Sequence, residues 1–207
     1  MSHLPTLAAI AGVYFIAVAS PGPNFLLISQ LALTGRTRLG LTVAAGIASG
    51  SLVWAMLAMA GVAALLARAG HLYDLIRLCG AAYLIWFGLK LLWSARSKSD
   101  GVARQVAIPA TPLRAYRAGL VTNLTNPKAG AFWTSVFSSM YPAHAPSWFG
   151  PVTLGMVVCI SGGWYVMLAY FFATDAVQRR YLRLRRAIDG LCGTLLLGLG
   201  AHLAASR

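Results

Sequence analysis

The chain has 207 residues, 58% of them apolar and only 10% charged, with a formal net charge of +13. Its four acidic residues are all Asp, so it lacks the charged surface that a soluble domain turns to water. The composition therefore excludes a soluble enzyme or nucleic-acid-binding module, since no basic stretch is attached to a segment that would fold in water. What remains is an all-α polytopic membrane protein: charge-free runs such as Leu39–Ala67 exceed the ~18 residues that mark a membrane helix. The short alternating segments of a membrane β-barrel are absent.

The first predicted segment runs from Leu4 to about Leu33 and is interrupted by Ser20-Pro21-Gly22-Pro23-Asn24. A straight helix of that length would be ~45 Å long, against ~30 Å of hydrocarbon. Ala17-Val18-Ala19 is similar to a signal-peptide cleavage site, but no Lys or Arg precedes it, which favours a retained segment. The second segment, about Leu39 to Ala67, contains Gly46-x-x-x-Gly50, a small-residue packing face. The third, about Leu72 to Trp93, has Asp74 and Arg77 at its start and Lys90 near its end, placed to snorkel. A polar linker, residues 95–113, divides the chain into halves 1–94 and 114–207 of one transporter domain. The fourth segment, Leu113 to Tyr141, is interrupted by Asn126-Pro127-Lys128. The fifth runs from about Pro151 to Thr174. A basic turn, Gln178 to Arg186, leads to the sixth, about Ala187 to Ala205.

Six transmembrane helices put both termini on one side. Thirteen of the 17 Lys and Arg fall in connections one–two, three–four and five–six. The positive-inside rule makes those connections, with the linker, cytoplasmic and both termini external. Cys79, Cys159 and Cys192 lack metal-ligand spacing and read as buried packing thiols. The four His fall on the outer side as interfacial residues, and no cofactor or metal is expected.

Three spans per half is odd, so a duplicated half inserts upside down. Leu78-Cys79-Gly80 matches Leu191-Cys192-Gly193 at an offset of 113, Ser49-Gly50 matches Ser161-Gly162 at 112, and Pro21–Pro23 match Pro127 at about 105. Two inverted three-helix repeats, with helices 1 and 4 broken at mid-membrane, are the expected architecture, and paired breaks of this kind point to a secondary-transporter site. Ser20 suits an N-cap with Pro21 at the first helical position, and Asn126 and Pro127 repeat that pairing. Half-helix N-termini bind anions, and the breaks free carbonyls that accept from ammonium groups. Lys128 adds a full charge at a depth where charge is costly and by default functional. A zwitterionic amino acid fits, its carboxylate toward Lys128 and its ammonium toward the amide oxygens of Asn24, Asn123 or Asn126. The alternative role for Lys128 is structural: it bonds the freed carbonyls of segment one and locks the halves together.

At these residues the chain resembles the lysine-exporter/homoserine-threonine-resistance (LysE/RhtB) family of bacterial amino-acid exporters. The resemblance rests on Ser20-Pro21-Gly22-Pro23-Asn24, Gly80-Ala81-Ala82-Tyr83-Leu84-Ile85-Trp86-Phe87-Gly88 and Asn123-Leu124-Thr125-Asn126-Pro127-Lys128. It is most similar to the threonine-efflux branch. It implies an inner-membrane exporter of small amino acids driven by the proton gradient, with function carried by Pro21, Gly22, Pro23, Asn126, Pro127 and Lys128. The threonine branch tends to carry an acid where this chain has Asn24, and some members carry one in the fifth span, where this chain has Ser161-Gly162-Gly163-Trp164. Both departures remove an obvious proton carrier. The rival function is a channel or an efflux protein for another small solute or a metal cation. It would need acidic or thiolate ligands along a path, and Lys128 would repel cations. A scaffold without transport would not need paired breaks. The sequence leaves open whether the chain assembles with copies of itself.

Overall fold

Eight helices follow one another in the computed structural model, which describes residues 3–66, 70–96, 109–142, 144–172 and 174–205. They are α1 (Leu4–Ala19), α2 (Pro23–Leu33), α3 (Thr37–Leu66), α4 (Gly70–Arg96), α5 (Pro112–Leu124), α6 (Pro127–Met140), α7 (Phe149–Phe171) and α8 (Asp175–Ala205). No strand occurs among the described residues. Most of the predicted linker, residues 97–108, lies outside them.

Prolines set the helix boundaries. Pro112 opens α5 behind Thr111, whose hydroxyl accepts from the Arg114 N–H at 3.3 Å. Pro127 opens α6 behind Asn126, whose amide oxygen accepts from the Lys128 N–H at 3.0 Å. The α2–α3 turn closes on Gly35, the one described residue at positive φ (70°). There Arg36 N–H donates to the Leu31 carbonyl and Gly35 N–H to that of Ala32, the paired bonds of a left-handed helix stop.

Two helical stretches, Thr37–Gly61 and Phe149–Phe171, are long and apolar enough to cross a membrane. The pair α1 and α2, bent by 57°, qualifies as a third, and Leu78–Trp93 is a shorter apolar helix. The other expected spans are less apolar for a visible reason: α5 carries Arg114 and Arg117, and α8 begins with the basic stretch. That stretch corrects a sequence expectation. Gln178–Arg186 is not a turn but part of a continuous 31-residue helix; it contains no Gly or Pro, and arginine is a good helix former. The thiols need correcting too, since Cys79 and Cys159 are exposed and only Cys192 is buried.

The short helix α6 lies at the centre. Phe132, Trp133, Val136 and Phe137 are all buried, and Trp133 packs on Tyr14 of α1 with ring centroids 4.6 Å apart. Glycines let α6 come close to its neighbours. A Cβ on Gly80 of α4 would meet the Ser138 hydroxyl at 2.6 Å, and one on Gly130 of α6 would meet the Trp54 ring at 2.7 Å. The predicted Gly46-x-x-x-Gly50 face packs on α5, with Gly46 against the Tyr116 carbonyl and Gly50 against Asn123.

Helices α4 and α8 cross on a reciprocal glycine contact. A Cβ on Gly88 would meet the Gly193 carbonyl oxygen at 2.7 Å and Leu197 Cγ at 2.9 Å; one on Gly193 would meet the Gly88 carbonyl oxygen at 2.7 Å and Leu92 Cγ at 2.9 Å. A second pair meets between α3 and α7, where the Ser51 and Ser161 hydroxyl oxygens are 3.4 Å apart.

Candidate functional site

Both breaks follow from what proline lacks. Ser20 ends α1 in an extended conformation (ψ 129°), as the residue before a proline does. Gly22, which precedes Pro23, is extended as well and caps α2. The second half-helix therefore begins at Pro23 behind Gly22, not at Pro21 behind Ser20 as the sequence suggests. Asn126 and Pro127 take the expected cap and first helical positions.

A proline also deprives the carbonyl four residues earlier of its donor. At the first break this carbonyl is that of Ala17, opposite Pro21. The Lys128 ammonium donates to it at 2.9 Å and to the Ser20 carbonyl at 3.4 Å. At the second break it is that of Asn123, opposite Pro127. It still accepts from the Asn126 backbone N–H at 3.1 Å, and the Trp54 indole N–H of α3 donates to it as well at 3.3 Å. Each break is thus closed by a donor from another helix, and Lys128 ties the second half of the chain to the first. Trp54→Phe removes the donor together with the outer edge of the indole that lies against Gly130. It is expected to cost about 2–3 kcal/mol, read as a fall of roughly 4–12 °C in the Tm of purified protein.

Two cavities meet at Lys128. The inner one has a volume of about 40 Å³ and is polar: Tyr14, Ser20, Asn24, Ser51, Asn123, Asn126 and Lys128 line it, with Gly22, Trp133 and Tyr165. It has room for roughly two or three waters. The outer one, about 490 Å³, is of small-molecule size and is lined by Ser20, Pro21, Gly22, Pro23, Asn126 and Lys128 together with Tyr83, Trp86, Phe87, Lys90 and Asp189. Ser20, Gly22, Asn126 and Lys128 form the wall between them. The structure thus brings together eight of the nine residues singled out in the sequence. The ninth, Pro127, opens α6.

The inner cavity has an unusual polarity. Asn123 donates through Nδ2 to Ser51 Oγ at 3.2 Å, and the Tyr14 hydroxyl lies beside the Ser51 and Ser161 hydroxyls. The side-chain oxygens of Asn24 and Asn123 are buried without a hydrogen-bond donor, which is costly for a buried acceptor. Both residues line the same cavity as one ammonium. That ammonium also stands 5.0 Å from the centroid of the Phe87 ring, within cation–π range. No group of three metal-ligating side chains comes together among the described residues.

A family model described as "LysE type translocator" matches residues 15–207. The chain belongs to the LysE-type translocator family. Relatives of this translocator include the "Threonine efflux protein" of Salmonella typhimurium, 35% identical over 204 residues covering 96% of this chain and 97% of that one. The "Threonine efflux protein" of Escherichia coli K12 is 34% identical over 200 residues with the same coverage. The "Leucine efflux protein" of Enterobacter sp. strain 638 is 30% identical, covering 95% of this chain and 93% of its own. These are transport proteins, not enzymes. No solved structure matches.

Sequence reasoning missed several residues of the translocator's cavities. Asp189 looked like an end residue because the sixth segment was started at Ala187. With α8 beginning at Asp175, Asp189 is buried well inside the helix. Tyr14 and Phe87 of the cavities, and Trp54 at the second break, sit in apolar runs, where an aromatic reads as core. Ser51 is two residues from Ser49 of the repeat match, and it is Ser51 that meets Ser161.

Proposed function

We propose that this translocator exports small neutral amino acids, threonine- or homoserine-like, from the cytoplasm across the bacterial inner membrane by proton antiport. The observation that carries this reading is a single ammonium at the meeting point of two broken helices, sharing one cavity with two asparagines whose amide oxygens are buried acceptors. That arrangement complements a zwitterion. The carboxylate takes the Lys128 ammonium from the Ala17 and Ser20 carbonyls, and the substrate ammonium donates to Asn24 and Asn123. The lock and the substrate site are then two states of one lysine. A cation alone would be repelled at this point. The threonine and leucine efflux relatives support an amino-acid substrate.

The reading takes α1 with α2, α3, α4, α5 with α6, α7 and α8 as six spans in two inverted repeats, with both termini outside. The reciprocal Gly88–Gly193 contact and the Ser51–Ser161 contact support a two-fold relation between the halves, because equivalent residues touch each other at such an axis. The breaks share a register, with Pro23 and Pro127 each opening a half-helix. Alternating access follows by swinging the halves about the breaks, with Lys128 releasing one side as it takes substrate.

The test is efflux from proteoliposomes of purified protein under an imposed pH gradient, with threonine, homoserine, serine and leucine as the panel. Gradient-driven movement of at least one is expected; movement of none removes the proposal. Asn24→Leu keeps the branching of the side chain and deletes the acceptor, and should raise KM about tenfold or more, since a hydrogen bond to a charged group contributes about 1.5–3 kcal/mol. An unchanged KM would take Asn24 out of the site.

A further inference from the structure

The proton path has no carrier at the positions where the sequence leads one to look, Asn24 and the fifth span. We propose that Asp189 is the group at which proton and substrate ammonium compete, an inference that rests on the amino-acid export reading above.

Asp189 is the acidic residue that the cavity lining contains among the described residues, and it is buried at 2% exposure on α8. It shares the wall of the 490 Å³ cavity with Lys128 and Lys90. Among the described residues, the ionisable groups that face it are Lys128 from α6, Lys90 and Tyr83 from α4, and Cys192 on its own helix; Arg186, three residues earlier, is exposed. Helix α1, which also packs on α8, carries no ionisable side chain but Tyr14. The Lys128 ammonium is within electrostatic range of both Asp189 and Lys90. The cavity therefore offers a carboxylate beside cations and aromatic rings, enough to receive both ends of a zwitterion before it reaches the inner cavity. Lys128 lines both cavities. The substrate carboxylate can stay on Lys128 while its ammonium passes from Asp189 to Asn24 and Asn123.

Antiport follows from the two forms of one carboxyl. As carboxylate, Asp189 accepts from the substrate ammonium. Once an oxygen has bound a proton, that attraction is lost and the substrate is held more weakly. A proton taken from the outer phase after substrate release is carried inward and lost to cytoplasmic water, which restores the carboxylate. One proton enters for one amino acid exported, and no other reactant is required. The sign is fixed: lowering the pH on the cytoplasmic face protonates Asp189 and weakens substrate binding, so KM rises as pH falls.

The experiment is counterflow of labelled threonine in proteoliposomes at equal pH on both sides, over a pH series, followed by uptake driven by a pH gradient. For wild type, KM should rise on acidification. N-acetylthreonine, which lacks the ammonium, should not compete. Asp189→Asn, which stands in for the protonated carboxyl, should raise the counterflow KM to the value wild type approaches at acid pH, with no further dependence on pH, and should abolish gradient-driven accumulation; Asp189→Glu should restore both in part. Accumulation by Asp189→Asn at the wild-type level overturns the inference and leaves the export reading standing. Absence of counterflow in wild type instead sinks the export reading. Should Asp189→Asn not fold, a hydrophobic carbodiimide, which attacks protonated buried carboxyls, decides on wild type. Labelling of the Asp189 peptide that increases with acidity and is blocked by threonine is the expected result, and no labelling at any pH overturns the proposal.

Discussion

Replacing Lys128 by methionine is expected to abolish export while the protein remains in the membrane. Methionine fills much of the lysine volume but withdraws the ammonium from the Ala17 and Ser20 carbonyls, which it reaches at 2.9 and 3.4 Å. Loss of a charge-assisted anchor worth roughly 3 kcal/mol corresponds to about a hundredfold in substrate affinity. A smaller loss of stability, about 1–3 kcal/mol, follows from leaving the Ala17 carbonyl without a donor. Lys128→Arg separates the two roles. It keeps charge and donors and should recover most of the stability. Its planar fork is not equivalent to a compact ammonium that must move between carbonyls and a carboxylate, so transport should stay low. Were Lys128 only a lock, arginine would restore transport together with the melting temperature.

The second large effect is on assembly of the fold. Gly88→Ala and Gly193→Ala each place a methyl group against backbone, 2.7 Å from the other glycine's carbonyl oxygen. Neither carbonyl can move without parting α4 from α8. Overpacking of this kind costs about 1–3 kcal/mol, and the same contact is struck from both sides. The double variant should therefore be less than additive, because helices parted by one methyl group have room for the second. Gly155→Ala on α7 is the control: a Cβ there meets nothing within 4 Å, so it should stay within about 1 kcal/mol of wild type, on the stabilising side. Thermal unfolding of purified protein by intrinsic fluorescence reads all four. Equal melting temperatures for Gly88→Ala and Gly155→Ala would contradict the packing described.

The two breaks were legible in the sequence because proline and asparagine are local signals. Each changes the backbone where it stands, whatever surrounds it. The assignment of the first cap was off by two residues, since Pro21 and Pro23 both disfavour helix before them and only the second starts one. Long-range partners were less legible. Nothing near Trp54 marks its indole as the donor for Asn123, and nothing near Phe87 marks it as the ring beside Lys128. Asp189 was obscured by a boundary: a basic stretch read as a loop hides that the helix continues, and a residue well inside a helix then looks terminal. The Gly88–Gly193 contact was not legible either, because nothing in either glycine's neighbourhood names the helix that packs on it.

The claim that organises this account is that one ammonium serves in turn as helix lock and substrate anchor. Solid-state NMR on proteoliposomes, with ¹⁵N in lysine side chains and ¹³C in the carboxyl group of a transported amino acid, measures it directly. The prediction is a dipolar contact between the Lys128 nitrogen and the substrate carboxyl at ion-pair distance, within roughly 4 Å, lost in Lys128→Met. Bound substrate whose carboxyl shows no contact with Lys128 would contradict it and leave the lysine as a lock alone.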